Sequence, residues 1–328
     1  MGYPLAWPRG LAVIAASLFL IFVSEALGQQ TAHRIGVLAS TEIPENVEAW
    51  MDGLRERGYV IGRDLRIEYR YFRGRYDQLP ALLTELVAFA PEVIVTTTSN
   101  SAVAIHAAAP TLPMVFLNVA DPVALGLVQS LAHPGGNVTG FATVVPEGII
   151  GKHLQLLKDL VPRASRIAVL INPAEKMHQI ALQRLPEAGQ SLGLEFVIVE
   201  ASEPDQFAAA FEKVHAQGAD AIHVWNGPLV FRHSVEVVGL AAHYNLPAMY
   251  FDRRYVLDGG LISYAPNQAD NWRRVAVYVD KILKGENPGD LPVQQPTGYD
   301  LIVNLKAAKA LGITVPLAIL AQANEVIE

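Results

Sequence analysis

Val93-Ile-Val-Thr-Thr-Thr-Ser99-Asn-Ser-Ala102-Val-Ala-Ile-His-Ala-Ala-Ala109-Pro-Thr-Leu-Pro113-Met-Val-Phe-Leu-Asn-Val119 reads as a strand, a polar turn, a helix and a second strand. The run from Val93 to Thr97 is apolar without alternation, as expected of a strand covered by helices on both faces. A crossover helix, Ala102 to Ala109, returns the chain so that Met114 to Val119 starts in the same direction. The unit recurs on either side. Upstream, a strand beginning Arg34-Ile-Gly-Val-Leu-Ala leads into a helix, Glu45 to Arg57, and a strand, Leu65 to Tyr71. Downstream come strands at Val138 to Ala142, Arg166 to Ile171, Phe196 to Val199, Ala221 to Trp225, Ala248 to Phe251 and Leu261 to Tyr264. Ten strands of this kind are many for one sheet. A break near Pro146 to Gly148, before a helix Ile149 to Leu160, divides the chain into two doubly wound, Rossmann-like α/β lobes joined by a tight hinge. The end, Ala321 to Glu328, reads as a frayed tail.

The 328 residues are 51% hydrophobic, carry a formal charge of −7 and include no cysteine. That is enough apolar material for two cores. The acidic balance is spread along the chain and argues against a nucleic-acid partner. Without cysteine there are no disulfides, no thiolate metal site, no cysteine nucleophile and no lipid-anchored N-terminal cysteine. At the N-terminus Arg9 precedes the apolar run Leu11 to Val23, and Ala26-Leu27-Gly28 follows. The run is too short to span a bilayer and has the layout of a signal peptide over residues 1–28. A periplasmic protein with no stable membrane insertion after cleavage is expected.

Catalytic signatures fail in turn. Gly148-Ile-Ile-Gly151-Lys152-His153 lacks the spacing and the Ser/Thr of a phosphate loop, and Gly135-Gly136-Asn137-Val138-Thr139-Gly140 lacks the opening of a dinucleotide fingerprint. There is no G-x-S-x-G elbow and no H-E-x-x-H pair. His233 and His243 are ten residues apart and do not share a helix face, so they and the neighbouring His215 and His223 read as surface or half-buried side chains. No catalytic residue, metal site or cofactor is expected.

Polar residues placed just after strands remain, where an α/β sheet presents its ligands. Thr98, Ser99, Asn100 and Ser101 open the helix after the third strand, where N–H groups and hydroxyls can hold an anion; Ser99 or Asn100 can equally serve as a simple cap. Asp121 follows the next strand and can meet an amine or cap a turn. Asn172, Asn226 and Asp252 repeat the pattern in the second half, and Thr41 and Thr143 complete the polar set. Tyr71, Trp225, Tyr250 and Tyr264 are aromatic candidates for a cleft wall, Tyr264 being counted among the ligand-binding residues. Polar groups supplied from two halves of a chain suggest a cleft closing over a solute.

The segment from Pro113 through Asp121-Pro-Val-Ala-Leu-Gly126 to His133-Pro134-Gly-Gly-Asn137-Val-Thr-Gly140-Phe resembles the ABC transporter substrate-binding family that includes tryptophan and tyrosine binders. Gly259-Gly-Leu-Ile-Ser-Tyr264, Tyr278 to Gly285, Leu291-Pro-Val-Gln-Gln-Pro296 and Asn304-Leu-Lys-Ala-Ala-Lys match the same family. The resemblance covers Arg34 to about Leu320 and implies a periplasmic binding fold of type I with a three-segment hinge. It places residues 29–144 plus 265–292 in an N-terminal lobe and 145–264 plus 293–320 in a C-terminal lobe, with 321–328 as a tail. It also implies a monomer that takes a small-molecule solute to an ABC permease and its ATPase. An exported enzyme on the same scaffold, or a sensor presenting the solute to a receptor, are the competing readings. Two departures stand out: Asn226-Gly227-Pro228 where Gly-Asp-Pro is common, and Ala265 where Gly commonly follows Ser-Tyr.

Overall fold

The apolar runs form parallel strands in the computed structural model, which describes residues 32–143, 147–296 and 298–328, the side chains of 147 and 148 excepted. The proposed signal peptide therefore lies outside the described residues. β1 (His33–Ala39), β2 (Leu65–Tyr71), β3 (Val93–Thr96), β4 (Met114–Val119) and β5 (Val138–Ala142) make an all-parallel sheet in the order β2-β1-β3-β4-β5. β6 (Arg166–Ile171), β7 (Glu195–Glu200), β8 (Ala221–Val224), β9 (Ala248–Tyr250) and β10 (Ile262–Pro266) repeat that topology as β7-β6-β8-β9-β10. β11 (Tyr299–Asn304) then adds antiparallel to β10, and β12 (Glu325–Ile327) adds parallel to β11. Ala321 to Glu328 is thus not a frayed tail. Asn324 exchanges backbone and side-chain hydrogen bonds of 2.8 Å with Leu301, and Arg253 pairs with Glu325 at 3.1 Å, which holds this end in the sheet.

Each sheet is buried on both faces, so each lobe has three layers. In the first lobe one face packs Val37, Val95 and Val115 against Trp50 and Leu54 of the helix Pro44–Glu56 and Trp272, Val275 and Val279 of the helix Gln268–Leu283. The other face carries Leu38, Ile94 and Phe116 against the helices Leu79–Ala88 and Ser99–Ala108. The second lobe has equivalent clusters around Ile167, Val169 and Trp225 on one side and Leu170, Ile222 and Phe211 on the other. The helices Pro44–Glu56 and Gln268–Leu283 touch almost backbone to backbone at Gly53. A Cβ there would sit 2.8 Å from both the Ala276 Cβ and the Arg273 carbonyl oxygen.

The chain passes between the lobes three times, and the passages lie side by side. Gln294 pairs with Phe141, its N–H donating to the Gly140 carbonyl and its carbonyl accepting from Ala142, both at 2.9 Å. The Asn267 N–H reaches the Gly298 carbonyl at 3.4 Å. The passages fall slightly later than the sequence suggests. Ala265 and Pro266 still belong to β10 of the second sheet, and Val293 is buried in the first lobe's core. Both segments continue a backbone pairing before the chain turns away.

Replacing Gly53 with valine forces the two helices apart. The midpoint of urea unfolding is expected to fall by the equivalent of about 1–3 kcal/mol, whereas valine at Gly58, which has open space around it, is expected to act only through its left-handed backbone.

Candidate functional site

In both lobes the winding reverses beside the first strand of the sheet, between β1 and β3 and between β6 and β8. A crevice forms at the carboxyl ends of the strands at such a switch point. The two crevices face each other and enclose a cavity of about 150 Å³ lined from both lobes. Thr41 beyond β1, Thr98 and Ser99 beyond β3, and Thr143 beyond β5 line it from the first lobe. Asn226 beyond β8 and Asp252 beyond β9 line it from the second. Tyr71 and Trp225 form part of its aromatic wall.

Six other candidates lie outside the cavity lining, each with a local reason. The hydroxyl of Ser101 is buried between Thr96 and Thr98, at 2.7 and 2.8 Å, and its N–H is capped by Thr98 Oγ1. Thr98, not Ser99 or Asn100, is therefore the helix cap. Asp121 has a left-handed backbone, φ 40°, and accepts from the Ala124 N–H at 3.0 Å. Asn172 closes its own turn by accepting from the Ala174 N–H at 2.9 Å. Tyr264 stacks on Tyr299 with ring centres 5.1 Å apart. Tyr250, an aromatic wall candidate, stacks instead on Tyr255 in the core, 4.8 Å away.

Asn100 has a different task. Its amide donates to the Ala174 carbonyl at 2.8 Å and accepts from the Lys176 N–H at 3.1 Å, so it bridges the lobes. Beside it, the Tyr76 hydroxyl of the first lobe donates to the Glu175 carboxylate of the second at 2.7 Å. Burial raises the Glu175 carboxyl to about 7, a shift only partly offset by the Tyr76 hydrogen bond. Gly227 makes room for it: a Cβ at 227 would approach Glu175 Oε1 to 3.2 Å. Burial also raises the Asp252 carboxyl, although Asp252 accepts from the Arg254 N–H at 2.9 Å.

Histidine reasoning missed a buried relay. The Trp225 indole N–H donates to His223 Nδ1 at 3.1 Å, which leaves His223 Nε2 as the donor to His153 Nδ1 at 2.9 Å. His153 Nε2 then donates to the Tyr264 carbonyl at 2.6 Å. His223 is therefore fully buried, not half-exposed, and burial holds both rings neutral, with His153 lowered to about 3. His178, lowered to about 4 by burial, accepts from the Asn172 N–H and donates to the Asn226 carbonyl, both at 2.9 Å. It ties together the loops after β6 and β8. In the first lobe Asn118, at a β4 bulge with φ 53°, bonds to Gln268 at 3.0 Å and Thr143 at 3.2 Å, beside two of the crossovers. Histidine and asparagine inside apolar runs were the available signals. Among the described residues no group of three or more His, Cys, Asp or Glu side chains could hold a metal ion, and no helix is long and apolar enough to cross a membrane.

Two doubly wound lobes, three crossovers and a cavity lined from both sides define the two-lobed fold of periplasmic binding proteins. The sequence matches the family described as ABC transporter substrate binding protein over residues 35–327, and the chain belongs to that family. A tyrosine-binding protein of Clostridioides difficile is 26% identical over 281 residues, spanning 84% of this chain and 80% of that one. A conserved domain protein from Vibrio cholerae superposes with a TM-score of 0.84 at 29% identity, covering 90% of this chain and all of its own. An ABC domain from Streptococcus pneumoniae in complex with L-Trp gives a TM-score of 0.83 at 26% identity, with coverage of 90% and 100%.

Glu175 makes closure pH-dependent. Its carboxyl sits near 7 with the lobes together and near 4.5 once solvated, so closure takes up a proton between those values and is favoured as pH falls from 8. Small-angle scattering of the solute-free protein is expected to show a smaller radius of gyration at pH 5.5 than at pH 8. Glu175→Gln is expected to stay compact at both.

Proposed function

We propose that this chain is the exported, monomeric receptor of an ABC import system, and that it captures an aromatic α-amino acid in the cleft and delivers it to the permease and its ATPase. The observation that carries the reading is an interlobe cavity equipped differently at its two sides. The first lobe offers the Thr98 and Ser99 hydroxyls and the opening N–H groups of the helix Ser99–Ala108, a setting suited to a carboxylate. The second offers the Asp252 carboxylate and the Asn226 amide, suited to an ammonium. Between them lie Trp50, Tyr71, Trp225 and Trp272.

Export is supported by the apolar run Leu11 to Val23 and the small residues after it. The relatives support the solute class, one being named for tyrosine and another holding L-Trp. Delivery is supported by lobes that hydrogen-bond directly to each other at Asn100 and Tyr76, because a solute touching both lobes shifts the balance toward the closed form.

A thermal-shift screen of amino acids, sugars and carboxylates tests the reading. An aromatic amino acid at about a hundred times its dissociation constant is expected to stabilise the protein by about 2.7 kcal/mol. Stabilisation by sugars alone would overturn it. Ser99→Ala and Asn226→Ala are each expected to weaken binding about tenfold or more in calorimetry, as for lost hydrogen bonds to charged groups.

A further inference from the structure

A solute ammonium and a solute carboxylate meet very different surroundings in the cleft. Among the described residues that line the cavity there are two carboxyl groups, on Glu175 and Asp252, and no lysine or arginine. His178 lines it too, but burial keeps its ring neutral, and its nitrogens are taken by the Asn172 N–H and the Asn226 carbonyl. Proteins that grip a carboxylate firmly do so with the paired N–H groups of arginine. Here the first lobe offers it only neutral groups, and those are partly engaged. The Ser99 hydroxyl already accepts from the Ala120 N–H at 3.0 Å, and the Thr98 hydroxyl from the Ser101 N–H at 3.2 Å.

The two acids, in contrast, lack a cation. Glu175 is buried, and the single proton of the Tyr76 hydroxyl serves both of its oxygens, where a carboxylate has about four acceptor sites. Burial lifts the Asp252 carboxyl in spite of Arg253 and Arg254, whose side chains pair with Glu325 and Asp258, both at 3.1 Å, and do not line the cavity. Glu45 of the first lobe adds to the lift, which places the start of the helix Pro44–Glu56 near Asp252. The next residue, Asn46, is buried, lines the cavity and has no side-chain hydrogen bond among the described residues, so its amide oxygen is free to accept. Tyr71 and Trp272 from the first lobe and Trp225, Phe231 and Phe251 from the second add aromatic rings to the same lining. Rings beside carboxylates, with no base to compete, suit an organic cation, because the ring quadrupole attracts positive charge.

We propose that the cleft selects its solute by the ammonium and treats the carboxylate as dispensable, so that arylalkylamines, which carry the ring and the ammonium of an aromatic amino acid but no carboxylate, are solutes of this receptor. The proposal rests on the reading of the cleft as an aromatic amino-acid site and widens it. Asp252 and Asn46 receive the ammonium from opposite lobes, and Glu175 adds a second acid to the cavity. An amine sets one positive charge against both acids, whereas an amino acid brings a further carboxylate that both repel.

Calorimetry with L-phenylalanine, phenethylamine and 3-phenylpropionate, which differ in the charged groups they carry, tests the proposal. Phenethylamine is expected to bind within about tenfold of L-phenylalanine, since hydrogen bonds lost with the carboxylate are offset by the repulsion relieved. 3-Phenylpropionate is expected to bind at least about a hundredfold more weakly than the amine, because it leaves both buried acids without a cation. Asp252→Asn and Asn46→Ala are each expected to weaken phenethylamine about tenfold or more, with circular dichroism confirming that each variant is folded. Binding of L-phenylalanine without phenethylamine would overturn the proposal and leave the amino-acid receptor standing. Binding of phenethylamine without L-phenylalanine would uphold the proposal and refute the amino-acid reading. 3-Phenylpropionate matching the amine, or an amine affinity unchanged in both folded variants, would overturn the proposal, and binding of none of the three would overturn both readings.

Discussion

Backbone pairing of Gln294 with Phe141 is the constraint on which the site depends. It holds the third passage of the chain against the first, and Asn267 holds the second against the third at Gly298. Segments bonded edge to edge at these two points resist shear, so the two switch points approach or part face to face. Everything in the cavity follows from that registration. Thr98 and Ser99 meet Asn226 and Asp252 because the passages allow no other alignment of the sheets.

The buried histidines of the second lobe are organised to stay put and stay uncharged. A ring of neutral imidazoles from Trp225 through His223 and His153 to the Tyr264 carbonyl satisfies every donor in turn. Such a buried chain is stable only when complete, and in exchange it fixes the orientation of the indole that lines the cavity. His178 does the same for the loop that carries Asn226. None of these groups is positioned as a nucleophile or a base toward the cavity. They are internal supports, which agrees with a family whose task is binding.

The architecture was legible because unbroken Val, Ile and Leu runs have few ways to be buried other than in a parallel sheet. The positions of Ser99, Asn226 and Asp252 were legible because strand ends are where such sheets expose polar groups. Glu175, and the lobe-bridging role of Asn100, were not, since their partners lie in the other lobe and a single loop carries no record of what closes over it. Asp121 and Asn172 misled for the opposite reason: the same side chains that suit a ligand also close a turn, and here the turn won. β12 escaped notice because a short edge strand with alternating exposure looks like any polar end.

The helix Gln268–Leu283 completes the first lobe although it is written after nearly all of the second. Trp272, which it supplies, walls the cavity, and its neighbour Ala276 docks on Gly53 from the opposite end of the gene's order. A nascent chain consequently has no finished first lobe, and no pocket, until its last quarter has emerged. Synthesis direction alone thus keeps an unfinished receptor from trapping its solute prematurely.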